Sequence, residues 1–368
     1  MQKYGLNSLI ILFLFIATAH TYSYTEAIDN GFSDIKAYHF IAENGFVENA
    51  SKEFAQHHLE RWVLNVVVGS IAQILNVDIW AVYRGAGLFC MLIVVFLIYC
   101  LNLDDKQKII ALVLVIYNPY TFRLYFSAPG MINDCVFYTA IVAFIVGILK
   151  RMNWLIIFAV TIAALSRQTS VLLIPVLIIF SLYEHISFKL SLTLALELVV
   201  IFLSNRYLTE LLFGVSEGGY FMAHTLGLYF WVTEGMSWKD GIAFFGRYVL
   251  FLLGLVPIIL VIGKKYSTYL VFVISFFVMH LQPIAGGPLI TGGNIQRLTA
   301  FGIPFLIPLL AEDTQIKRQL LFVLIFILMS MHHHFSVMIY ITNDFTLFGF
   351  IVVLGAFVSL ISHKLIKL

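Results

Sequence analysis

Five charged side chains stand beside apolar runs of the sequence, where ionisable groups are costly. Asp34 lies in "FSDIKAYHF", Arg61 in "QHHLERW", Asp134 in "GMINDCVFY", Arg167 in "AALSRQTSVL" and Arg297 in "GGNIQRLTAF". A carboxylate near a bilayer surface can accept a proton from a hydroxyl or ligate a divalent cation. A guanidinium stays charged and binds a phosphate through two parallel N–H groups. Together these residue types indicate chemistry on a phosphate-containing substrate.

Each of these residues also has a structural interpretation. Asp34 could be a solvated loop acid, with Asp29 as a competing candidate, and Asp134 could simply cap a helix. Arg297 follows a Gly-rich loop and could be an interfacial anchor instead of closing over an anion. Arg167 is the hardest to explain in this way, because a charge so close to hydrocarbon is expensive unless it faces a partner or a polar cavity.

Histidines and cysteines give no clear metal motif. Adjacent histidines do not share a helix face, so His57 and His58 are expected to be a poor chelate. The run His332–His334 is interpreted as interfacial. The three cysteines have no CxxC spacing and are predicted to be free thiols. No metal site is therefore predicted from spacing, although a divalent cation held by Asp34 remains an alternative.

The composition shows what must position these residues. Of the 368 residues, 61% are hydrophobic and 11% are charged, whereas soluble domains have about 25% charged residues. The apolar runs are long enough to span a bilayer as helices. We therefore predict an all-α, polytopic membrane protein with about twelve transmembrane helices, in a range of about 10–13. The predicted spans cover residues 5–24, 80–101, 106–120, 131–149, 153–166, 170–184, 188–204, 243–263, 266–282, 298–311, 318–335 and 345–363.

The chain is interpreted as one integral-membrane domain over residues 1–368. Its first module, 5–184, contains a first outer loop at 25–79, in which 61–76 is predicted to be a helix on the membrane surface. A second transmembrane module follows at 185–368. The Gly/Pro-rich stretch 283–297 is predicted to be irregular.

Lysines and arginines are sorted differently along this topology. With the N-terminus inside, ten of the 13 lysines fall in inner loops, in agreement with the positive-inside rule. Seven of the nine arginines fall outside or near the outer surface. Orientation alone would not separate the two residue types, so the pattern indicates anion binding on the outer face.

The order of these features resembles that of the GT-C type integral-membrane glycosyltransferases, which use polyprenyl- or dolichyl-phosphate sugar donors. The resemblance covers residues 5–184 best and then 285–312. It implies Asp34 and Asp134 as the catalytic acids, with Asp34 as the base of an inverting transfer. It implies Arg61, Arg167 and Arg297 as the residues that hold the donor phosphate.

The remaining assignments complete this interpretation. Substrate contacts are expected at Tyr38, His57, His58, Asn133 and Gln168. The expected partners are a polyprenyl-phosphate-linked donor, a glycan or lipid-linked acceptor and membrane lipids, with no nucleic acid. The expected cofactor, if one is used, is Mg²⁺ or Mn²⁺. The expected location is a bacterial inner membrane, with the active site facing the periplasm or the exterior.

Two other classes remain open at this stage. The chain also resembles O-antigen and exopolysaccharide polymerases, in which Arg123 would join the donor-binding residues and a lipid-pyrophosphate glycan would be the donor. A transporter of lipid-linked glycans or anions would also need an arginine-lined cavity. Transporters usually contain two related halves, and no internal repeat is found in this sequence.

Overall fold

The computed structural model describes residues 33–312, except for residues 49, 104, 117–120, 215–219, 236 and 262–265. Within this part of the chain all regular elements are helices, which confirms the predicted all-α class there. In these described residues, four helical stretches are apolar enough and long enough to cross a membrane, which is compatible with an integral membrane protein. They are Ile79–Tyr99, Ile132–Lys150, Phe188–Phe213 and Tyr269–Ile290.

The predicted count of about twelve spans is not established by these four. Shorter apolar helices occupy three other predicted spans: Asn153–Ser166, Gln168–Leu182 and Ile295–Leu309. A fourth, Trp62–Leu75, coincides with the helix predicted at 61–76, which was not counted as a span. The predicted spans 5–24, 318–335 and 345–363 lie outside the described residues, as does the run His332–His334.

The predicted first outer loop folds into short helices from Ser33 onward. A methyl group at Gly69 would overlap the carbonyl oxygen of Ala42, so the first and third of these helices pack backbone to backbone. This contact lies near the C-terminal end of the first helix, whereas Asp34 lies in its first turn. The helices are α1 (Ser33–Asn44), a 3₁₀ turn at Ala50–Lys52, α2 (Gln56–Leu59) and α3 (Trp62–Leu75).

The helix Ile132–Lys150 (α7) is the most buried of the four membrane-length helices in the described chain, and it packs against Ile79–Tyr99, Phe122–Ser127 and Asn153–Ser166. In its most apolar stretch 89% of the residues are buried, against 17% for Phe188–Phe213 (α10), whose side chains are therefore free to face lipid. Asp134 lies in the first turn of α7 and Lys150 at its other end, where Lys150 Nζ donates to Asn102 Oδ1. The helices are α4 (Ile79–Tyr99), α5 (Asp105–Ile116), α6 (Phe122–Ser127), α7 (Ile132–Lys150), α8 (Asn153–Ser166), α9 (Leu173–Leu182) and α10 (Phe188–Phe213). A 3₁₀ helix at Gln168–Leu172 joins α8 to α9.

The C-terminal third of the described chain is also helical, including most of the stretch predicted to be irregular. The stretch 283–297, predicted to be irregular, does not form one regular helix. The helix Leu281–Ile290 is broken, and a 3₁₀ turn at Gly292–Asn294 separates it from the short helix Ile295–Thr299. The break occurs at Gly287, where φ is 58°, a value that glycine tolerates best. The elements are α11 (Tyr220–Glu234), α12 (Trp238–Val261), α13 (Tyr266–Val278), α14 (Leu281–Ile290), α15 (Ile295–Thr299) and a 3₁₀ helix at Ala300–Glu312.

Candidate active site

A cavity of about 390 Å³ lies between the α2 region and the segment that carries α15. One wall comes from residues 53–61 and the opposite wall from residues 290–298, with Asp34 and Arg167 completing the lining. Sequence-distant segments therefore meet around one space. The lining residues are Asp34, Glu53, Phe54, Ala55, His57, His58, Arg61, Arg167, Ile290, Thr291, Asn294, Arg297 and Leu298.

The Asp34 carboxylate lies in the first turn of α1 and contacts three cationic or hydrogen-bonding side chains. His58 Nε2 is 2.9 Å from Oδ1, while Arg297 Nη2 is 3.3 Å and Arg61 Nη1 is 3.8 Å from Oδ2. Burial alone would raise the pKa of the Asp34 carboxyl. The hydrogen bond from His58 and the charges of Arg297 and Arg61 outweigh burial and hold that pKa well below its ordinary range. Asp34 is therefore ionised at neutral pH.

Asp134 is the second carboxylate, and it is completely buried behind the cavity. It forms an ion pair with Arg167, and Arg297 Nε is 3.6 Å from its Oδ2 atom. A buried charge of this kind persists in the folded protein only when it is paired. Asp134 is not simply a helix cap, because it binds two arginines that reach the cavity.

Arg167 lies at the junction between the apolar helices α8 and α9. It adopts an extended backbone conformation at the end of α8 and is 4% exposed. Its guanidinium carbon lies 5.0 Å from the centre of the Phe301 ring, so an aromatic face and a carboxylate together compensate the buried charge. The Phe301 contact could not be recognised in the sequence, where Phe is among the commonest residues.

Arg61 is held in place by hydrogen bonds of both its backbone and its side chain. Its carbonyl oxygen accepts a hydrogen bond of 2.8 Å from Asn65 Nδ2, and Tyr83 of α4 donates to Asn65 Oδ1 at 2.8 Å. Its guanidinium donates to the Tyr38 hydroxyl and, through Nε, to Gln168 Oε1 at 3.0 Å. Tyr38 is buried beneath Arg61 and does not line the cavity, so it positions the arginine.

Gln168 joins the α8–α9 junction to the α2 segment. Its Nε2 group donates to the backbone oxygen of His57 at 3.0 Å and to Glu60 Oε2 at 2.9 Å, while its Oε1 atom accepts from Arg61. Burial is the largest influence on Glu60 and raises the pKa of its carboxyl, even though the hydrogen bond from Gln168 opposes this. Gln168 therefore orders one wall of the cavity without lining it.

The two adjacent histidines converge more closely than helix spacing suggests. Their ring centres are 3.8 Å apart, and both rings line the cavity. A ligand atom from each lies within 4.8 Å of a ligand atom of Asp34, so these three residues form a group that could hold a metal ion. The expectation that His57 and His58 would be a poor chelate considered only regular helices, whereas α2 has a single turn.

Arg297 projects from α15, a helix of five residues whose position depends on its neighbours. His280 Nε2 lies 3.1 Å from the carbonyl oxygen of Thr299, and His280 Nδ1 lies 3.1 Å from the Tyr248 hydroxyl. These contacts connect α15 to α12 and to the end of α13. Sequence reasoning identified Arg297 but not His280, because the supporting contacts are made in the folded chain.

Two other predicted residues are placed differently. Asn133 is fully buried beside Asp134 and is not among the residues that line the cavity. Its amide atoms have no hydrogen-bond partner within the described part of the chain. Arg123 belongs to α6, and its side chain is not among those that the structure describes.

The lining also contains residues that were not predicted. Glu53, Thr291 and Asn294 add polar groups at the two walls, and Phe54, Ala55, Ile290 and Leu298 add apolar ones. Thr291 and Asn294 lie in the Gly-rich stretch, where only Arg297 was predicted as a site residue.

Comparison of the chain with models of known protein families, with curated proteins and with solved structures finds no match.

Proposed function

We propose that this chain is a membrane glycosyltransferase that moves a sugar from a polyprenyl-phosphate-linked donor to a glycan or lipid-linked acceptor. The proposal places the reaction on the non-cytoplasmic face of a bacterial inner membrane. The observation that carries it is the meeting of Asp34, Arg61, Arg167 and Arg297 at one cavity, with Asp134 buried behind two of the arginines. Carboxylates supply proton acceptors, and guanidiniums bind a phosphate leaving group.

The three arginines suit a donor that carries a phosphate, because guanidinium groups bind phosphate oxygens through paired N–H groups. A sugar linked to a lipid through one phosphate and a glycan linked through a pyrophosphate both meet this requirement. The experiment below therefore compares the two donors directly.

In the proposed reaction the acceptor oxygen attacks the anomeric carbon of the donor sugar. The bond between that carbon and the phosphate oxygen breaks, the acceptor proton passes to Asp34, and lipid phosphate leaves with a second negative charge. Arg61, Arg167 and Arg297 stabilise that growing charge. Because the acceptor displaces the phosphate directly, the configuration at the anomeric carbon is inverted.

The low pKa of Asp34 affects how this proton is transferred. An ionised carboxylate can accept the proton at neutral pH, but a group with a lowered pKa is a weak base. Transfer is then favourable only late in the reaction, when the attacking oxygen has become acidic. A divalent cation, for which Mg²⁺ or Mn²⁺ is the sequence-based expectation, would help by making the acceptor hydroxyl more acidic.

Asp134 has a positioning role in this proposal. The resemblance described above implied that Asp134 is one of the catalytic acids. Its complete burial and its contacts with Arg167 and Arg297 favour a different role, in which Asp134 holds both guanidiniums toward the cavity.

The test is transfer by the purified protein in detergent. Radiolabelled polyprenyl-phosphate sugars are offered together with a glycolipid extract as the acceptor, and labelled product is measured. We expect transfer by the wild type, its loss in Arg167→Gln, and its retention in Arg247→Gln. Arg247 is a suitable control because it is exposed on α12 and does not line the cavity.

The same preparation distinguishes the rival classes. Transfer from lipid-pyrophosphate glycans alone would replace the proposal with the polymerase. Counterflow of a lipid-linked anion in sealed vesicles, without any transfer in detergent, would replace it with the transporter. Equal transfer by the wild type and Arg167→Gln would remove the arginine cluster from the reaction.

A further inference from the structure

Asp34, His57 and His58 bring one oxygen and two nitrogen ligands together at one side of the cavity. Their ligand atoms all lie within 4.8 Å of one another, and His58 Nε2 is 2.9 Å from Asp34 Oδ1. Bonds of about 2.0–2.2 Å to a metal ion place neighbouring ligand atoms about 3 Å apart. Small side-chain rotations would therefore bring all three residues around one ion.

The surrounding contacts direct these side chains toward a common point. Arg297 and Arg61 approach the Oδ2 atom of Asp34, which leaves Oδ1 on the side of His58. Gln168 holds the backbone of His57 through a hydrogen bond of 3.0 Å. Outer contacts of this kind orient the ligands of metal sites and affect their affinity.

We propose that Asp34, His57 and His58 bind one divalent transition-metal ion. Two imidazole nitrogens and one carboxylate oxygen suit Mn²⁺, Co²⁺ or Zn²⁺ better than Mg²⁺, which prefers oxygen ligands. Three protein ligands leave coordination positions open, and these positions face the cavity that the three residues line. The ligands that fit there are phosphate oxygens or a hydroxyl group.

The arginines limit the affinity of this site. Arg61 and Arg297 lie close to Asp34 and repel a dication, so the ion is expected to exchange with solution and not to be a permanent structural metal. An anionic ligand that enters the cavity reduces this repulsion. By linkage, the metal and the anion strengthen each other's binding.

The metal-binding site stands independently of the proposed function, but its catalytic use rests on that function. A hydroxyl bound to the ion becomes more acidic and can transfer its proton to a weak base.

The site can be tested by titrating the purified, metal-free protein with Co²⁺ and recording its visible absorption. The run His332–His334 could bind Co²⁺ alone, so all three histidines are first replaced by glutamine. In this background we expect one Co²⁺ per chain. We expect at least about tenfold weaker binding after Asp34→Asn, His57→Gln or His58→Gln.

His39→Gln is the matched control. His39 lies on α1 like Asp34, but it stacks on Trp80 with ring centres 4.8 Å apart and pairs with Glu43 at 3.7 Å. It does not line the cavity. Size-exclusion profiles and helical circular dichroism identify variants that fold, and the conclusion is drawn only from those.

Absence of Co²⁺ binding in the background protein would overturn the proposal. Unchanged binding in the folded His57→Gln and His58→Gln variants would also overturn it. Binding that depends on these residues, in a protein that transfers no sugar, would retain the metal site and remove the glycosyltransferase. Sugar transfer without any metal binding would retain the glycosyltransferase and remove the metal site.

Discussion

Arg297 lies between two carboxylates that belong to different helices: its Nη2 atom is 3.3 Å from Asp34 Oδ2, and its Nε atom is 3.6 Å from Asp134 Oδ2. The guanidinium can contact both because its nitrogens point in different directions. One side chain thereby connects the first-loop helix α1 to the buried end of α7. The arrangement makes Arg297 sensitive to changes that preserve its charge.

Arg297→Lys is expected to reduce sugar transfer by roughly 10²-fold, because one ammonium group cannot replace a planar fork. The comparison is Arg247→Lys, which changes an exposed arginine on α12 in the same way and is expected to have little effect. Initial rates of transfer in detergent provide the measurement. Equal rates for the two variants would show that charge alone is needed at position 297.

Asp134→Asn is expected to destabilise the protein by about 3–5 kcal/mol, because it leaves the buried Arg167 charge without its carboxylate. Adding Arg167→Gln should recover part of that loss, since both charges are then absent. Unfolding free energies of the two single variants and the double variant give the coupling between the residues. Simple additivity of the two effects would contradict the ion pair.

The low pKa of Asp34 predicts how stability changes with acid. A carboxyl whose folded-state pKa is depressed contributes stability that is fully present above its unfolded pKa of about 3.9. The contribution is lost as pH falls through the folded-state pKa. Asp34→Asn should therefore be less stable than the wild type at neutral pH, and the difference should shrink in strong acid.

The measurement is the unfolding midpoint as a function of pH, in EDTA so that bound metal does not contribute. Asp240→Asn is the control, because Asp240 is an exposed acid in the first turn of α12. A gap between wild type and Asp34→Asn that stays constant with pH would be inconsistent with a depressed pKa.

Gly69→Ala is expected to separate α1 from α3, because the new methyl group overlaps the Ala42 carbonyl oxygen. We expect a loss of about 1–3 kcal/mol in stability, together with reduced transfer as Asp34 shifts. Gly85→Ala is the matched control, since nothing lies within 4 Å of the added group and alanine favours helix there. Unfolding midpoints and transfer rates are measured together, and wild-type behaviour of Gly69→Ala would rule out the close packing.

The sequence predicted helices well because long apolar runs leave few other choices for the backbone. It also indicated Asp34, Arg167 and Arg297 as candidates, because a charge beside an apolar run is costly unless it has a partner or faces a polar cavity. It could not predict that Gln168 would bind both Glu60 and the backbone of His57, since those contacts depend on how distant helices pack.

The stretch 283–297 could be predicted only in part. Its glycines and prolines indicate that it is not one regular helix, but only the folded chain shows that most of α14 is helical around a break at Gly287. The prediction that His57 and His58 are a poor chelate assumes the geometry of a long helix, but α2 is four residues long. In both places tertiary packing decided the conformation.

Arg297 is already engaged by two resident carboxylates before any ligand enters the cavity. An arriving anion would therefore compete with Asp34 and Asp134 instead of meeting an unoccupied guanidinium. Part of the attraction is cancelled by the ion pairs that must loosen, and the same ion pairs re-form when the anion departs. Competition from these two carboxylates would weaken the binding of a released phosphate product, which favours rapid turnover over tight binding.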